Sequence, residues 1–145
     1  KSTHALKSRA GTTTLNGGTY TGSGDTTGNV GGSVIDIPDG GAATITGATL
    51  VTTAGAANHG FITYGSESNK NATIGSTLML TNCVFTDNTG SGGTITNGTA
   101  IPGATLVLAG CTYTGKTAPA ISGFATVTGS IAAAASSSGP TSSAT

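Results

Sequence analysis

Thr77-Leu78-Met79-Leu80-Thr81-Asn82-Cys83-Val84-Phe85-Thr86 decides how this chain is read, because a recognisable copy of it occurs three more times. Leu15-Asn-Gly-Gly-Thr-Tyr20, Ile45-Thr-Gly-Ala-Thr-Leu50, Leu80-Thr-Asn-Cys-Val-Phe85 and Leu108-Ala-Gly-Cys-Thr-Tyr113 share one order of side chains. Each runs from an aliphatic residue through two turn formers and a small residue to a β-former and a large apolar residue. The copies start 30, 35 and 28 residues apart. A period of this size points to stacked repeats rather than to a compact globule.

Parity within each copy supplies the local structure. Leu78 and Leu80 lie two apart, as do Leu106 and Leu108, so each pair faces one side of a strand while Met79 and Val107 face the other. Leu80 and Phe85 are five apart and cannot share a face of one straight strand, so a corner lies between them. Asn16-Gly17, Thr46-Gly47, Thr81-Asn82 and Ala109-Gly110 suit that corner, because Gly and Asn accept left-handed backbone angles cheaply. A third strand follows in each copy, centred on Ile35, Ile62, Ile95 and Ile121, which are 27, 33 and 26 residues apart. Two motifs that drift together place the length variation in loops, for which Gly22 to Gly32, Ser66 to Asn71 and Asn88 to Gly92 have the composition.

The expectation is an all-β chain: a short right-handed parallel β-helix of about four coils, three strands per coil, with extended termini. Residues 1–11 read as a basic N-terminal arm, 12–131 as the β-helix and 132–145 as a low-complexity Ala/Ser/Thr tail. Stacked coils place Tyr20, Leu50, Phe85 and Tyr113 in one large apolar column and the four isoleucines in another. Gly18, Ala48, Cys83 and Cys111 form a column of small residues, and Asp36, Thr63, Thr96 and Ser122 an outward polar ladder. Bare end coils call for caps or partners.

The pattern resembles the repeats of right-handed parallel β-helix proteins of the pectate-lyase-like, phage tailspike and virion decoration type, over about residues 13 to 129. The resemblance implies the architecture and, for the virion members, a homotrimer; it brings no catalytic signature with it.

Composition agrees with this reading. Thr (30), Gly (25) and Ser (15) make up nearly half of 145 residues, charged residues are 7%, and the formal net charge is zero. Thr favours pleated surfaces and Gly supplies corners. Lys1, Lys7 and Arg9 give the first ten residues +3, and Lys70 and Lys116 against five acids leave −3 for the rest. A basic arm before a nearly neutral body reads as a tether to something acidic, with a solvated terminus as the plain alternative. No apolar run approaches the ~20 residues of a membrane span, and no signal peptide is recognisable. A start at Lys1 without Met reads as a processed product or part of a longer chain.

No catalytic, cofactor or metal residues are assigned. Asp36 and Asp39 are the closest acids in sequence, but Pro38 separates them at a strand end and Asp39-Gly40-Gly41 reads as a turn. Asp87-Asn88 likewise reads as a corner, and His4 and His59 have no neighbour at ligand spacing. Cys83 and Cys111 should be neighbours on adjacent coils; two reduced thiols are the favoured reading, and a disulfide is the alternative. Outward Thr19, Thr49 and Thr112 read as a solvated β surface rather than an ice or glycan site, since Val84 interrupts the row. Nucleic acid is set aside, because the arm has no aromatic platform beside it.

The functional expectation is a non-enzymatic structural protein of a virion surface, either a capsid decoration protein or a short segment of a tail spike or fibre. It would be homotrimeric and dock through Lys1, Lys7 and Arg9 onto a larger assembly such as a capsid or tail. The alternatives are a fragment of a polysaccharide-degrading tailspike or lyase, or a secreted, extracellular adhesin that binds glycans.

Overall fold

The computed structural model describes residues 4–22, 32–53 and 60–135. The loop expected at 22–32, Asp25, His59, Lys1 and most of the tail, 136–145, therefore lie largely or wholly outside the described residues.

The chain winds as a right-handed parallel β-helix, the hand that parallel crossover connections take. Its first rung is β1 (Leu6–Lys7), β2 (Thr12–Asn16) and β3 (Thr19–Thr21). The second is β4 (Ile35–Ile37), β5 (Ala42–Thr46) and β6 (Thr49–Thr52), and the third β7 (Gly60–Tyr64), β8 (Thr77–Thr81) and β9 (Val84–Asp87). The fourth is β10 (Thr94–Asn97), β11 (Thr105–Ala109) and β12 (Cys111–Thr114). A fifth follows: β13 (Ala120–Ser122), β14 (Thr126–Thr128) and β15 (Ile131–Ala133). Corresponding strands build three five-stranded sheets: A (β1-β4-β7-β10-β13), B (β2-β5-β8-β11-β14) and C (β3-β6-β9-β12-β15). Five rungs at ~4.8 Å make a rod about 24 Å tall.

The count of rungs corrects the expected four. The additional strands lie at the two ends, where the repeat is hardest to see. Leu6 pairs with Ile35 and Lys7 with Asp36, so sheet A extends into the segment expected as an arm. In the last rung Val127 lies over Leu106 and Ile131 over Cys111. The corner there is one residue shorter than in the fourth rung, and Ala133 occupies the place held by Tyr113.

The corner between sheets B and C shows why the repeated motif folds as it does. Gly17, Gly47 and Gly110 have φ of 70°, 65° and 64°, and Asn82 takes the same place at 51°, alone among described non-glycine residues in having positive φ. The hydrogen-bond ladder continues through the bend. The amides of Gly17, Gly47 and Asn82 donate to the carbonyls of Thr46, Thr81 and Ala109 at 2.7–2.8 Å. Beyond the bend Thr49, Val84 and Thr112 donate to Gly18, Ala48 and Cys83 at 2.9 Å. The ladder thus resumes on both sides of the bend, which keeps most of the corner's backbone paired beside the core.

That core is a stack of apolar columns. Ile45, Leu50, Leu78, Leu80, Phe85 and Leu106 are fully buried. Phe61 enters it by a register shift: Thr94 pairs with Gly60 and Ile95 with Ile62, which leaves Phe61 as the extra residue of a bulge. Its ring meets Phe85 edge to face, with centroids 5.2 Å apart and planes at 70°. Tyr64 is also fully buried, and its hydroxyl donates to the Gly41 carbonyl at 2.5 Å.

Candidate docking surfaces

Three features are distinct enough to carry function: a charged cluster on sheet A, two uncharged sheet faces, and the columns within. All are set by which residues the stack brings into register.

The columns lie as follows. Tyr20 is in register with Leu50, Leu50 with Phe85, and Phe85 with Tyr113; Ile35, Ile62, Ile95 and Ile121 stack likewise. Tyr20, Tyr113 and Ile121 are only partly buried, being at or near the rod ends. Asp36, Thr63, Thr96 and Ser122 form one ladder, headed by Lys7, with the Ser122 hydroxyl 3.3 Å from that of Thr96.

Cys83 and Cys111 are both buried and free, so the alternative of a disulfide does not describe this structure. Each thiol donates to a carbonyl of the rung before it, Cys83 to Ile45 at 3.4 Å and Cys111 to Leu80 at 3.3 Å. The neighbouring Cys111 thiol, together with burial, pushes the Cys83 thiol up, which keeps it protonated and inert.

The basic residues of the expected arm are held within the chain. Lys7 Nζ lies 2.8 Å from Asp36 Oδ2 and 3.0 Å from Glu67 Oε1. Arg9 spans Asp39, 3.0 Å from its Oδ1, and Glu67. His4 Nδ1 donates to the Ser33 carbonyl at 2.8 Å, which brings Nε2 to 3.4 Å from Asp36. Ser68 adds a hydroxyl to Asp39 at 2.9 Å. These contacts raise the pKa of Lys7, through Asp36 first, and of Arg9, through Glu67 first; they lower that of Glu67, through Arg9 and then Lys7. Asp36 and Asp39 are each 4% exposed, and such carboxylates need partners. Lys7 and Arg9 are therefore not free to reach elsewhere without first uncovering these acids.

This cluster also shows what the sequence reading missed. Spacing gave no sign that residues 4–9 would meet 36, 39 and 67, because solenoid stacking, not proximity in the chain, joins them. A visible signal did exist: a Lys-x-Arg strand and an Asp-x-x-Asp strand in a chain nearly devoid of charge.

Sheets B and C are the opposite. Thr14, Thr44, Met79, Val107 and Thr128 run across the outer face of B, and Thr19, Thr49, Val84, Thr112 and Ala132 across that of C. Among all ten strands of these two sheets the one charged residue is Asp87. It is buried, accepting from Thr52 and Thr89 hydroxyls at 2.9 and 2.5 Å and from Thr89 and Gly92 amides at 2.9 and 2.8 Å. Burial alone would raise its pKa, but these four donors outweigh that and hold it at about 2.

Among the described residues no three His, Cys, Asp or Glu side chains are grouped to hold a metal, and no helix is long and apolar enough to cross a membrane. No protein-family model, no curated protein and no solved structure matches the chain, so its fold rests on its own register and its function on its surfaces.

Proposed function

We propose that the chain is a non-enzymatic structural protein of a virion surface, a capsid decoration protein or a short segment of a tail spike or fibre, that assembles as a homotrimer. The observation that carries this reading is the division of its surface. Two of three sheet faces, B and C, meet at the left-handed corner and present Thr, Val, Met and Ala, while the charged cluster lies on sheet A and its loops. In a ring of three identical copies each protomer meets its two neighbours through different surfaces. Depletion of charge is what marks the middle of protein interfaces. A three-sided rod with two uncharged faces suits that arrangement, with sheet A outermost.

The tailspike and decoration members of the β-helix class suit the chain better than the lyases. Asp36 and Asp39, the acids nearest in sequence, are each held by a cation of the same chain. Attachment to a capsid or tail belongs to the same proposal and would draw on the N-terminal end of the rod.

Native mass spectrometry at micromolar concentration tests the assembly. A trimer is expected, and Val107→Lys in face B or Thr49→Lys in face C should dissociate it to folded monomers. A wild-type chain that is monomeric at these concentrations overturns the reading.

A further inference from the structure

The rod is open at both ends. Strands β1, β2 and β3 form one edge of sheets A, B and C, and β13, β14 and β15 the other. On their far sides the backbone N–H and C=O groups meet no further strand among the described residues. The side chains are uncovered to match. Leu78, Leu80, Ile95 and Leu106 are fully buried in the middle of their columns. Leu6, Leu15 and Tyr20 at one end and Ile121 and Ile131 at the other are only partly buried. Val127 is 44% exposed, and β14 is exposed along its whole length.

We propose that these two ends fit one another: the last rung of one copy stacks in register on the first rung of the next, so that all three sheets run on from copy to copy. All pairings between rungs are parallel and every rung winds the same way, so translation along the axis continues the three ladders. Size selects the register. The column that begins at Leu15 ends at Gly129, which lies over Leu108; a β-carbon there would stand 3.2 Å from that of Leu108. The Tyr20 column ends at Ala133, and the Gly18 column at Ile131. The Thr13 column ends at Val127. Stacking therefore sets Gly129 on Leu15, Ala133 on Tyr20, Ile131 on Gly18 and Val127 on Thr13, a larger side chain meeting a smaller one each time. Tyr20 leans across Gly18, its ring 3.2 Å from where a β-carbon would stand, and Ala133 leaves that ring room. Ile121 on Leu6 extends the isoleucine column with a residue of like size. Charge does not oppose the contact. Strands β13, β14 and β15 carry none, and Lys7 and Arg9 of the first rung are already paired with Asp36, Asp39 and Glu67 of their own chain. Such an interface joins unlike surfaces and does not close, so it builds a fibre. It needs no contact between flanks and so stands apart from the trimer. Where trimers form, three ends meet at once, and the lowest first rung stays free for the larger assembly.

The test mixes differently tagged full-length chains, one Thr14→Cys and the other Thr128→Cys, at high concentration with oxidised glutathione. Both positions are exposed on the outer face of sheet B. Within one chain they stand four rungs apart, roughly 19 Å, too far to bridge. Stacking brings them to about 4.8 Å across the junction, within disulfide range. A disulfide joining the two tags is expected. Roughly tenfold less should form when the Thr128→Cys chain also carries Val127→Glu or Ala133→Glu, which place a charge in the junction; circular dichroism checks that these variants keep the fold. Electron microscopy of the wild type at the same concentration should show rods with an axial repeat of about 24 Å, five rungs at ~4.8 Å. Thr49→Lys, which blocks the flank contact, should leave the bridge intact, so loss of the trimer and loss of the stack are separate results. Absence of the bridge or of the repeat overturns the proposal, as does a bridge no more frequent than Thr128→Cys forms with Ser91→Cys in an exposed loop. A bridge between two Thr128→Cys chains in its place overturns it too, since last rungs would then face each other. So does protection of the β14 amides from exchange in the isolated monomer, which would assign the last rung's cover to the chain's own tail.

Discussion

Asp87 shows how much one residue can hold in a chain with so few charges. Its four donors come from the preceding rung and from the loop that follows it, so it ties β9 both to β6 and to the turn at Gly92. Asp87→Asn should destabilise the fold by about 2 kcal/mol, the scale of charge-assisted hydrogen bonds to a buried group. The pH dependence follows from the sign of the shift. A carboxylate held at about 2, below its ordinary 3.8, adds stability that is fully present above pH 4 and lost as pH falls through 2. Acid titration of wild type and Asp87→Asn by circular dichroism should show that limb in wild type and its reduction in the variant; superimposed curves would assign the acid sensitivity to another group. The sequence read Asp87 as a corner residue; it is the last residue of β9, and its burial could not be read from the sequence because Thr52 reaches it only when the rungs stack.

At the scale of the element, the corner and the N-terminal strap, residues 4–9 held along β4, behave oppositely. The corner is local, which is why it was legible: two turn formers set between an aliphatic residue and a large apolar one five positions on need no distant information. Asn82 is its sharpest test. Asn82→Gly should change stability by no more than a few tenths of a kcal/mol, whereas Asn82→Val should cost about 1–2 kcal/mol from left-handed strain, measured by denaturant unfolding. Of the fifth rung the strand at Ile121 was expected, but β14 and β15 escaped notice because the corner between them is one residue shorter and the aromatic position holds Ala133. Phe61 escaped because a bulge breaks parity. The strap depends on contacts made across the stack. Glu67, with its pKa lowered by Arg9 and Lys7, supports the strap above its unfolded value, and that support is lost as pH falls. Lys7, with its pKa raised, supports it below about 10.5, and that support is lost as pH rises beyond. Amide exchange at Ala5, Leu6 and Ser8, expressed relative to the intrinsic rate at each pH, should therefore be slowest near neutrality and faster below pH 4. Raising salt to about 1 M should also speed it, by screening the exposed pairs, with the amides of β8 and β11 unaffected. Equal acceleration throughout the rod would mean that the strap opens only with the whole fold.

For the whole molecule, the stacking of every rung on a partner one turn away has a kinetic consequence. The repeated motifs stand 30, 35 and 28 residues apart, and every pairing between strands is parallel. No sheet here can begin as a hairpin. The first two turns to meet must close a loop of roughly thirty residues, at an entropic cost near 3 kcal/mol, before any ladder bond rewards them. Folding is accordingly slow for a chain of this size, and it starts wherever two turns first register, the central pair with Leu78, Leu80, Leu106 and Leu108 being the stickiest. Growth then proceeds outward in both directions, each new turn templated by the last. Until the terminal strands arrive the nascent rod carries raw edges at both ends, so the interval between nucleation and completion is when the chain is most exposed to the wrong neighbour.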